Sequence, residues 1–172
     1  MTMRRLVAGT AATAIVGTLA LSRMTVEAAT AQANLTVQAS VTANCDVEAP
    51  NTLDFGDYDP VVTHASANLD ASTTIRVRCT RGSSNVWVGL DSGSNASSSQ
   101  RRLAGGGSEF MDYDLYSDAA RTTAWGNAQA SGVDYSPASS GWENLTVYGR
   151  VPSGQDVAVG SYTDTVVATI NF

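Results

Sequence analysis

The sequence predicts an all-β fold, an antiparallel sandwich of short strands. Beyond its N-terminal segment the chain is rich in Thr, Val, Ser, Gly and Asn, and no stretch sustains a 3.6-residue hydrophobic period over three turns. Apolar and polar residues alternate instead in short runs bounded by Gly, Asp, Asn or Pro. Short alternating runs without intervening helices are typical of a sandwich.

Residues 1–33 are predicted to be a signal peptide. Arg4 and Arg5 give a positive start, residues 6–21 are apolar, and AQA at 31–33 offers a cleavage site, with AA at 28–29 as a weaker one. A single membrane anchor is the alternative, but the apolar stretch is shorter than the ~20 residues that a span needs. We therefore expect an exported protein without membrane insertion, whose mature part is one domain, residues 34–172.

The mature chain is acidic and contains two cysteines. It has seven arginines against fifteen Asp and Glu, a net charge of −8, and no lysine. This charge argues against binding of nucleic acid or an anionic membrane, and the absence of lysine excludes Lys–Asn isopeptide cross-links. In an exported chain we expect Cys45 and Cys79 to form a disulfide, which contributes about 4 kcal/mol in the chain-entropy model.

Five runs are predicted to be strands. The first two, 74–80 and 85–90, flank an RGSS turn and are expected to form a hairpin, with Ile75, Val77 and Cys79 on one face. The remaining three runs are FMDYDLY, LTVYGRV and SYTDTVVATINF, at 110–116, 145–151 and 161–172. The stretches 91–108 and 119–141 are predicted to be loops.

The longest alternation begins the mature chain. Residues 35–49 alternate without interruption, and such a strand would extend about 50 Å, more than the ~37 Å diameter of a domain this size. We expect the half near Cys45 to join the domain, which leaves an apolar face on 35–43. That arm either packs loosely or pairs with a sheet edge of another copy. The last predicted strand has an apolar face that would suit such pairing and that only Asp164 interrupts. Its residues are Tyr162, Val166, Ala168, Ile170 and Phe172.

Few residues indicate chemistry. His64 is the only histidine, in a loop without a nucleophile motif, and we expect it to be solvated rather than part of a Ser-His-Asp site. The acidic group Asp54, Asp57 and Asp59 lacks the Gly and terminal Glu of a calcium-binding EF-hand loop. No cofactor, metal or catalytic site is predicted.

A sugar-stacking platform of three tryptophans is an alternative site. Trp87 lies in an apolar strand and is expected to be in the core. Trp125 and Trp142 lie near glycines in loops, and one of them is a candidate for exposure.

Several motifs together resemble the spore coat protein U family, which includes subunits of archaic, Csu-type chaperone–usher pili. A cysteine follows the alternating arm, and the matching motifs then occur in order. They are LDFGDYDP at 53–60, IRVRCTRG at 75–82, LDSG at 90–93, RRLAGG at 101–106, MDYDLYSDAARTTAWGN at 111–127 and LTVYGRVPSGQDVAVGSYTDTVVATINF at 145–172.

The resemblance implies an incomplete immunoglobulin-like sandwich that lacks its last strand. A periplasmic chaperone would fill the resulting groove first, and at an outer-membrane usher the arm of the next pilin subunit, within 34–43, would replace it. The donor residues would be Leu35, Val37, Ala39 and Val41. The strand beside the groove would carry Val166, Ala168, Ile170 and Phe172, and Cys45–Cys79 would be the disulfide.

The function expected on this basis is structural. The chain would be a non-enzymatic subunit of a surface pilus, used for adhesion and biofilm formation and exported through the periplasm. A non-fibrous spore-coat protein, a monomeric carbohydrate-binding module and a hydrolase that uses His64 are the alternatives.

Overall fold

In the computed structural model, the described residues are 26–172. The apolar part of the predicted signal peptide lies outside them. The chain divides after Ala39 into two units, and residues 26–39 contain no regular secondary structure. The fold below is that of the second unit, Ser40–Phe172. Within the described residues, no helix is both long and apolar enough to span a bilayer.

Eight strands and one short 3-10 helix make up this unit. The strands are β1 (Cys45–Glu48), β2 (Leu69–Cys79), β3 (Val86–Leu90), β4 (Arg101–Ala104), β5 (Phe110–Tyr116), β6 (Val133–Tyr135), β7 (Glu143–Val151) and β8 (Ala168–Asn171). The 3-10 helix, Gln129–Ser131, precedes β6.

The strands form two antiparallel sheets. The larger has the order β1-β2-β7-β5-β4, and the smaller has the order β6-β3-β8. The two long strands β2 and β7 pair over nine residues, from Leu69 opposite Val151 to Val77 opposite Glu143. The predicted all-β fold is therefore confirmed, and β1 and β8 are edge strands of different sheets.

The core lies between the sheets and follows the predicted alternation. Ile75, Val77 and Cys79 are buried along one face of β2, and Val88 and Val151 are fully buried. Cys79 lies opposite Cys45 in the β1–β2 register, and the expected disulfide joins them. It fixes β1, which is only four residues long, to the edge of the larger sheet.

The predicted hairpin between the first two runs is wrong. β2 already has β1 on one side and β7 on the other, so both of its edges are occupied. The turn at 80–85 instead carries the chain to the other sheet, where β3 pairs with β6 and β8. A positive φ of 59° at Asn85 and of 84° at Gly82 accommodates this crossing.

The two long alternating runs form shorter strands than the sequence predicted. Of residues 35–49 only Cys45–Glu48 is a strand, because these residues alone lie opposite β2. The C-terminal run, expected over 161–172, has regular pairing only at Ala168–Asn171, with an isolated bridge at Thr163. β4 and β6 were not predicted and lie in stretches expected to be loops.

Candidate functional site

A cleft opens between the two sheets beside β8. Its inner part is a cavity of about 270 Å3 lined by apolar side chains of both sheets. Ile75, Leu115 and Val147 contribute from the larger sheet, and Leu90 and Ala168 from the smaller one. The space reached by this cavity is therefore the hydrophobic core itself.

A second cavity continues the first towards the surface. It has a volume of about 730 Å3 and lies between residues 52–60 and 157–164. Five residues line both cavities, namely Thr52, Leu53, Phe55, Leu103 and Asp164. The two cavities thus form one cleft, bounded on one side by the segment after β1 and on the other by the segment that leads into β8.

The C-terminal flank of the cleft presents an unpaired backbone edge. Three alternate residues turn their backbone groups away from the cleft. Thr163 bonds to residue 104, Thr165 to residue 94 and Val167 to residue 91. The groups of Asp164 and Val166 face the opposite way, as alternation requires. Neither residue makes a backbone–backbone hydrogen bond in the part of the chain that the structure describes. This edge can accept another strand.

The opposite flank contains the LDFGDYDP motif. Leu53 and Phe55 lie against Gly149, where a Cβ atom would come within 2.7 Å of both side chains. Phe55 also meets Tyr113 edge to face, with ring centroids 6.2 Å apart. The Tyr58 hydroxyl donates to the Pro152 carbonyl at 3.1 Å. The motif therefore anchors this flank to β5 and β7 by side chains, although the segment itself is not a strand.

Asp164 is the charged side chain that lines both cavities. Its carboxylate accepts a 2.7 Å hydrogen bond from the Tyr113 hydroxyl of β5. It also accepts bonds from the backbone N–H and the side-chain amide of Asn95, at 3.1 and 2.9 Å. Burial, with the bond to Asp164, raises the pKa of Tyr113 well above its ordinary value, so the hydroxyl remains a donor. Asp164 therefore links the two sheets at the cleft.

The predicted donor residues are exposed. Leu35 and Val37 are 87% and 83% exposed, Val41 is 85% exposed, and Ala39 is exposed as well. Residues 26–44 form no strand. The arm therefore shows its apolar residues to solvent, which is costly for side chains of this type.

The predicted groove-lining residues divide into two pairs. Val166 and Ala168 are half-buried and line the inner cavity. Ile170 is half-buried beside β3, whereas Phe172 is 60% exposed, and neither lines a cavity. The cleft accordingly reaches from Ala168 back along the chain to residue 157, further from the C-terminus than the sequence suggested.

Two of the three tryptophans differ from the predicted burial. Trp87 is only half-buried, so the prediction that it belongs to the core is wrong, and Trp125 is 1% exposed. Trp142 is half-buried, with the guanidinium groups of Arg76 and Arg78 4.9 and 4.3 Å from its ring centroid. An indole already engaged by two arginines is a poor platform for a sugar.

His64 is also different from its prediction. It is 8% exposed rather than solvated, and its ring stacks on Tyr58 with centroids 4.9 Å apart. Its Nδ1 accepts a 2.9 Å bond from the Asp59 N–H. This nitrogen is therefore not available to a catalytic carboxylate, and the histidine has a structural role in the loop.

The acidic group beside His64 caps the same loop. The Asp59 carboxylate accepts bonds from the N–H groups of Val61 and Val62, at 2.9 and 3.1 Å, which lowers the pKa of Asp59. Asp54 accepts a bond from the Gly56 N–H in the same manner. Among residues 26–172, no three His, Cys, Asp or Glu side chains are grouped so that they could hold a metal ion.

Comparison with known proteins identifies the family. A family model described as the Spore Coat Protein U domain matches residues 31–169. The chain belongs to the Spore Coat Protein U family. Protein U of Myxococcus xanthus is 40% identical over 157 residues, which are 85% of this chain and 87% of that protein. The resemblance seen in the sequence motifs is thus confirmed.

Solved structures show the same fold. One is the complex of the chaperone CsuC with the tip adhesion subunit CsuE from archaic chaperone–usher Csu pili of Acinetobacter baumannii. It matches 77% of this chain, with a TM-score of 0.54 and 19% identity, and this chain spans 40% of the matched one. The other is a chaperone–usher pilus studied for rod uncoiling, with a TM-score of 0.50, 15% identity, and 83% and 96% of the two chains covered. The Spore Coat Protein U chain therefore has the immunoglobulin-like fold of pilus subunits.

Two features of the site were missed from the sequence. The link from Asp164 to Tyr113 and Asn95 joins residues 51 and 69 positions apart, for which no local pattern exists. Arg101, which is 8% exposed, donates to the carbonyls of Leu90 and Trp125. Of the residues in these two features, only Asp164 could have been noticed in the sequence, because it interrupts an apolar face.

Proposed function

We propose that this Spore Coat Protein U chain is a structural subunit of a surface pilus, polymerised by donor-strand complementation. The observation that carries the proposal is the cleft beside Asp164 and Val166, which combines an apolar interior with unpaired backbone groups. A strand is the ligand that satisfies both at once. The exposed arm at 34–43 supplies a strand with alternating apolar side chains.

The energetics favour this pairing. Full burial of a Leu or Val side chain is worth roughly 1.5–3 kcal/mol, and the arm contributes Leu35, Val37 and Val41 on one face. Each backbone hydrogen bond to the edge adds about 1 kcal/mol. Together these contributions are several kcal/mol per joint. A joint of this kind would dissociate slowly, as a fibre exposed to shear requires.

The partners follow from the same cleft. Until a second copy supplies its arm, the apolar interior invites aggregation, so a periplasmic chaperone would cover it and an outer-membrane usher would direct the exchange. The fold likeness to a chaperone–subunit complex and to a pilus supports these partners. The chain would reach the cell surface through the periplasm and serve adhesion and biofilm formation as a non-enzymatic fibre component.

The test uses material sheared from producing cells, separated on SDS gels with and without boiling. The wild-type chain should give a ladder of multimers that collapses to one band on boiling, and thin fibres in electron micrographs. Val37→Asp should abolish the ladder, because it places a charge on the apolar face of the arm. Gln38→Asp, the matched control on the polar face, should keep it.

Neither substitution should affect folding of the domain, since Val37 is 83% exposed and Gln38 is exposed as well. A deletion of 34–42 should likewise leave a subunit that binds the chaperone but cannot act as a donor. Normal fibres from the deletion variant, or equal ladders from Val37→Asp and Gln38→Asp, would contradict the proposal.

A non-fibrous coat protein is the second candidate, favoured by the 40% identity to Protein U over most of both chains and by the family's description. Such a protein should give a monomer band with and without boiling, and no fibres. Genes for a chaperone and an usher beside this one would favour the pilus.

A further inference from the structure

The apolar face of the arm does not by itself define how a bound strand is aligned. Because its side chains alternate with a period of two, a shift by two residues keeps every apolar residue on the same face. Leu35, Val37 and Val41 are similar in size and hydrophobicity. If the arm binds the cleft as proposed above, some other feature has to select one of the registers that differ by two residues.

Asp164 differs from every other residue on the cleft face of the C-terminal segment. Its inward neighbours on that segment are Tyr162, Val166 and Ala168, all without charge. Of the residues that line the inner cavity it is the charged one. A bound strand would cover this carboxylate.

The carboxylate is fixed in place. Tyr113 and Asn95 together donate three hydrogen bonds to it. Gly93 lies so close that a Cβ atom there would overlap the carboxylate, and its φ of +82° favours glycine. The side chain therefore cannot rotate away to make room for a bulky group on the incoming strand.

Of the four predicted donor residues, only Ala39 has a side chain as small as a methyl group. A Leu or Val placed over Asp164 would remove water from the carboxylate without replacing it by a hydrogen bond, which is unfavourable. Ala43 is equally small but is committed to its own domain, since Thr42 and Asn44 on either side of it bond to Thr80.

We propose that Asp164 sets the register of the bound strand by requiring Ala39 of the donor opposite it. The role resembles that of a single polar residue in an apolar coiled-coil interface, which fixes alignment at some cost in affinity. Asp164 is thus a specificity-determining residue of the cleft. The small residue of the arm is its counterpart.

Cross-linking in the sheared polymer tests the register. With Ala39 opposite Asp164, the flanking arm residues Gln38 and Ser40 lie beside Thr163 and Thr165 on the outer face. In full-length chains that carry one arm cysteine and one acceptor cysteine, both arm positions should cross-link, Gln38→Cys to one of Thr163→Cys and Thr165→Cys and Ser40→Cys to the other, and give multimers that resist boiling and collapse on reduction. Pairs with Ser161→Cys or Val167→Cys, each two residues further along, should not.

Arm variants with larger side chains test whether the small side chain of Ala39 determines the register. Ala39→Val should reduce the cross-linked fraction at Thr163 and Thr165 by about tenfold. Val37→Leu, which also enlarges the apolar face, should leave it unchanged. Both substitutions lie in the exposed arm, so folding of the domain is not at stake. Asp164→Asn combined with Ala39→Val should recover much of the lost cross-linking, because the charge is removed while a similar shape remains.

The outcomes separate the two proposals. A wild-type chain without any boiling-sensitive ladder overturns donor-strand polymerisation, and the register proposal with it. A normal ladder whose cross-links fall at Ser161 or Val167, or an Ala39→Val variant that cross-links like wild type, overturns only the role of Asp164.

Discussion

The indole N–H of Trp125 donates a 2.8 Å hydrogen bond to the carbonyl of Val88, and both residues are almost completely buried. The Trp125 backbone N–H donates to the carbonyl of Leu115 in the larger sheet, and its own carbonyl accepts from Arg101. A loop tryptophan thus connects β3 of the smaller sheet with β4 and β5 of the larger one. Sheet-to-sheet contact at this point does not depend on the cleft.

Trp125→Ala should lower the free energy of unfolding by about 3–5 kcal/mol, because it creates a large cavity and removes the indole hydrogen bond to the Val88 carbonyl. Urea unfolding followed by far-ultraviolet circular dichroism measures this. Trp142→Ala is the control, with an expected loss of about 1 kcal/mol from its contacts to two arginines. Similar losses for both variants would show that Trp125 is not the central connection.

The disulfide provides a second prediction. Replacement of Cys45 and Cys79 by serine should lower the free energy of unfolding by about 4 kcal/mol, given the sequence separation of 34 residues. It should also loosen β1, which pairs with β2 at one edge of the larger sheet. Hydrogen exchange at Asp46, which lies opposite Arg78 in the β1–β2 ladder, should then become faster relative to exchange at Val147 in the centre of the same sheet. Unchanged exchange at Asp46 would mean that the β1–β2 ladder is sufficient without the bridge.

A strand could be predicted from the sequence where its own residues alternate between apolar and polar. The run at 110–116 is β5 without any change of boundary, and 85–90 differs from β3 by one residue. Pairing was not predictable, because alternation identifies the buried face of a strand and not its neighbours. The hairpin after β2 failed for this reason, and β4 was missed because two of its four residues are arginines.

The candidate site was predictable in part. The arm and the C-terminal run were visible as apolar faces, but the surplus length of the arm left open whether it packs loosely or pairs with a sheet edge of another copy. The depth of the cleft was not visible, because it depends on how Leu53 and Phe55 lie against Gly149. His64 was misjudged since a single loop histidine gives no sign that its ring will stack on Tyr58.

A third prediction concerns acid stability. Asp70 accepts two bonds from Arg150, at 2.7 and 2.8 Å, and this pairing, together with the charge of Arg121, lowers the pKa of Asp70. A carboxylate with a lowered folded-state pKa stabilises the fold above its unfolded pKa of about 4, and this contribution is lost as the pH falls through the folded value.

Asp70→Asn should therefore cost about 0.5–1 kcal/mol at pH 7, reduced by solvent screening of the partly exposed pair, and almost nothing at pH 2. Urea unfolding of both proteins between pH 2 and pH 7 measures the difference. Asp46→Asn, whose ion pair with Arg78 is about half exposed, should give a smaller change at pH 7. A loss for Asp70→Asn that does not depend on pH would exclude the ion pair as its origin.

Two glycines allow the effect of the close contact between Gly93 and Asp164 to be separated from the effect of backbone strain. Gly82 and Gly93 have nearly equal φ values of +84° and +82°, so alanine at either position should cost roughly 1–2 kcal/mol from backbone strain alone. A Cβ atom at Gly82 would meet nothing within 4 Å, whereas at Gly93 it would overlap the Asp164 carboxylate.

Gly93→Ala should therefore lower the free energy of unfolding by more than Gly82→Ala, and the difference measures what the fixed carboxylate contributes. The substitution should also break the Tyr113–Asp164 bond, since the carboxylate must move to make room. The pKa of Tyr113 should then fall towards its ordinary value, because one of the interactions that raises it is removed. Ultraviolet titration of the tyrosines follows this change. Equal losses of stability in the two variants, with unchanged tyrosine titration, would show that Asp164 can move aside freely and so could not select one residue of an incoming strand.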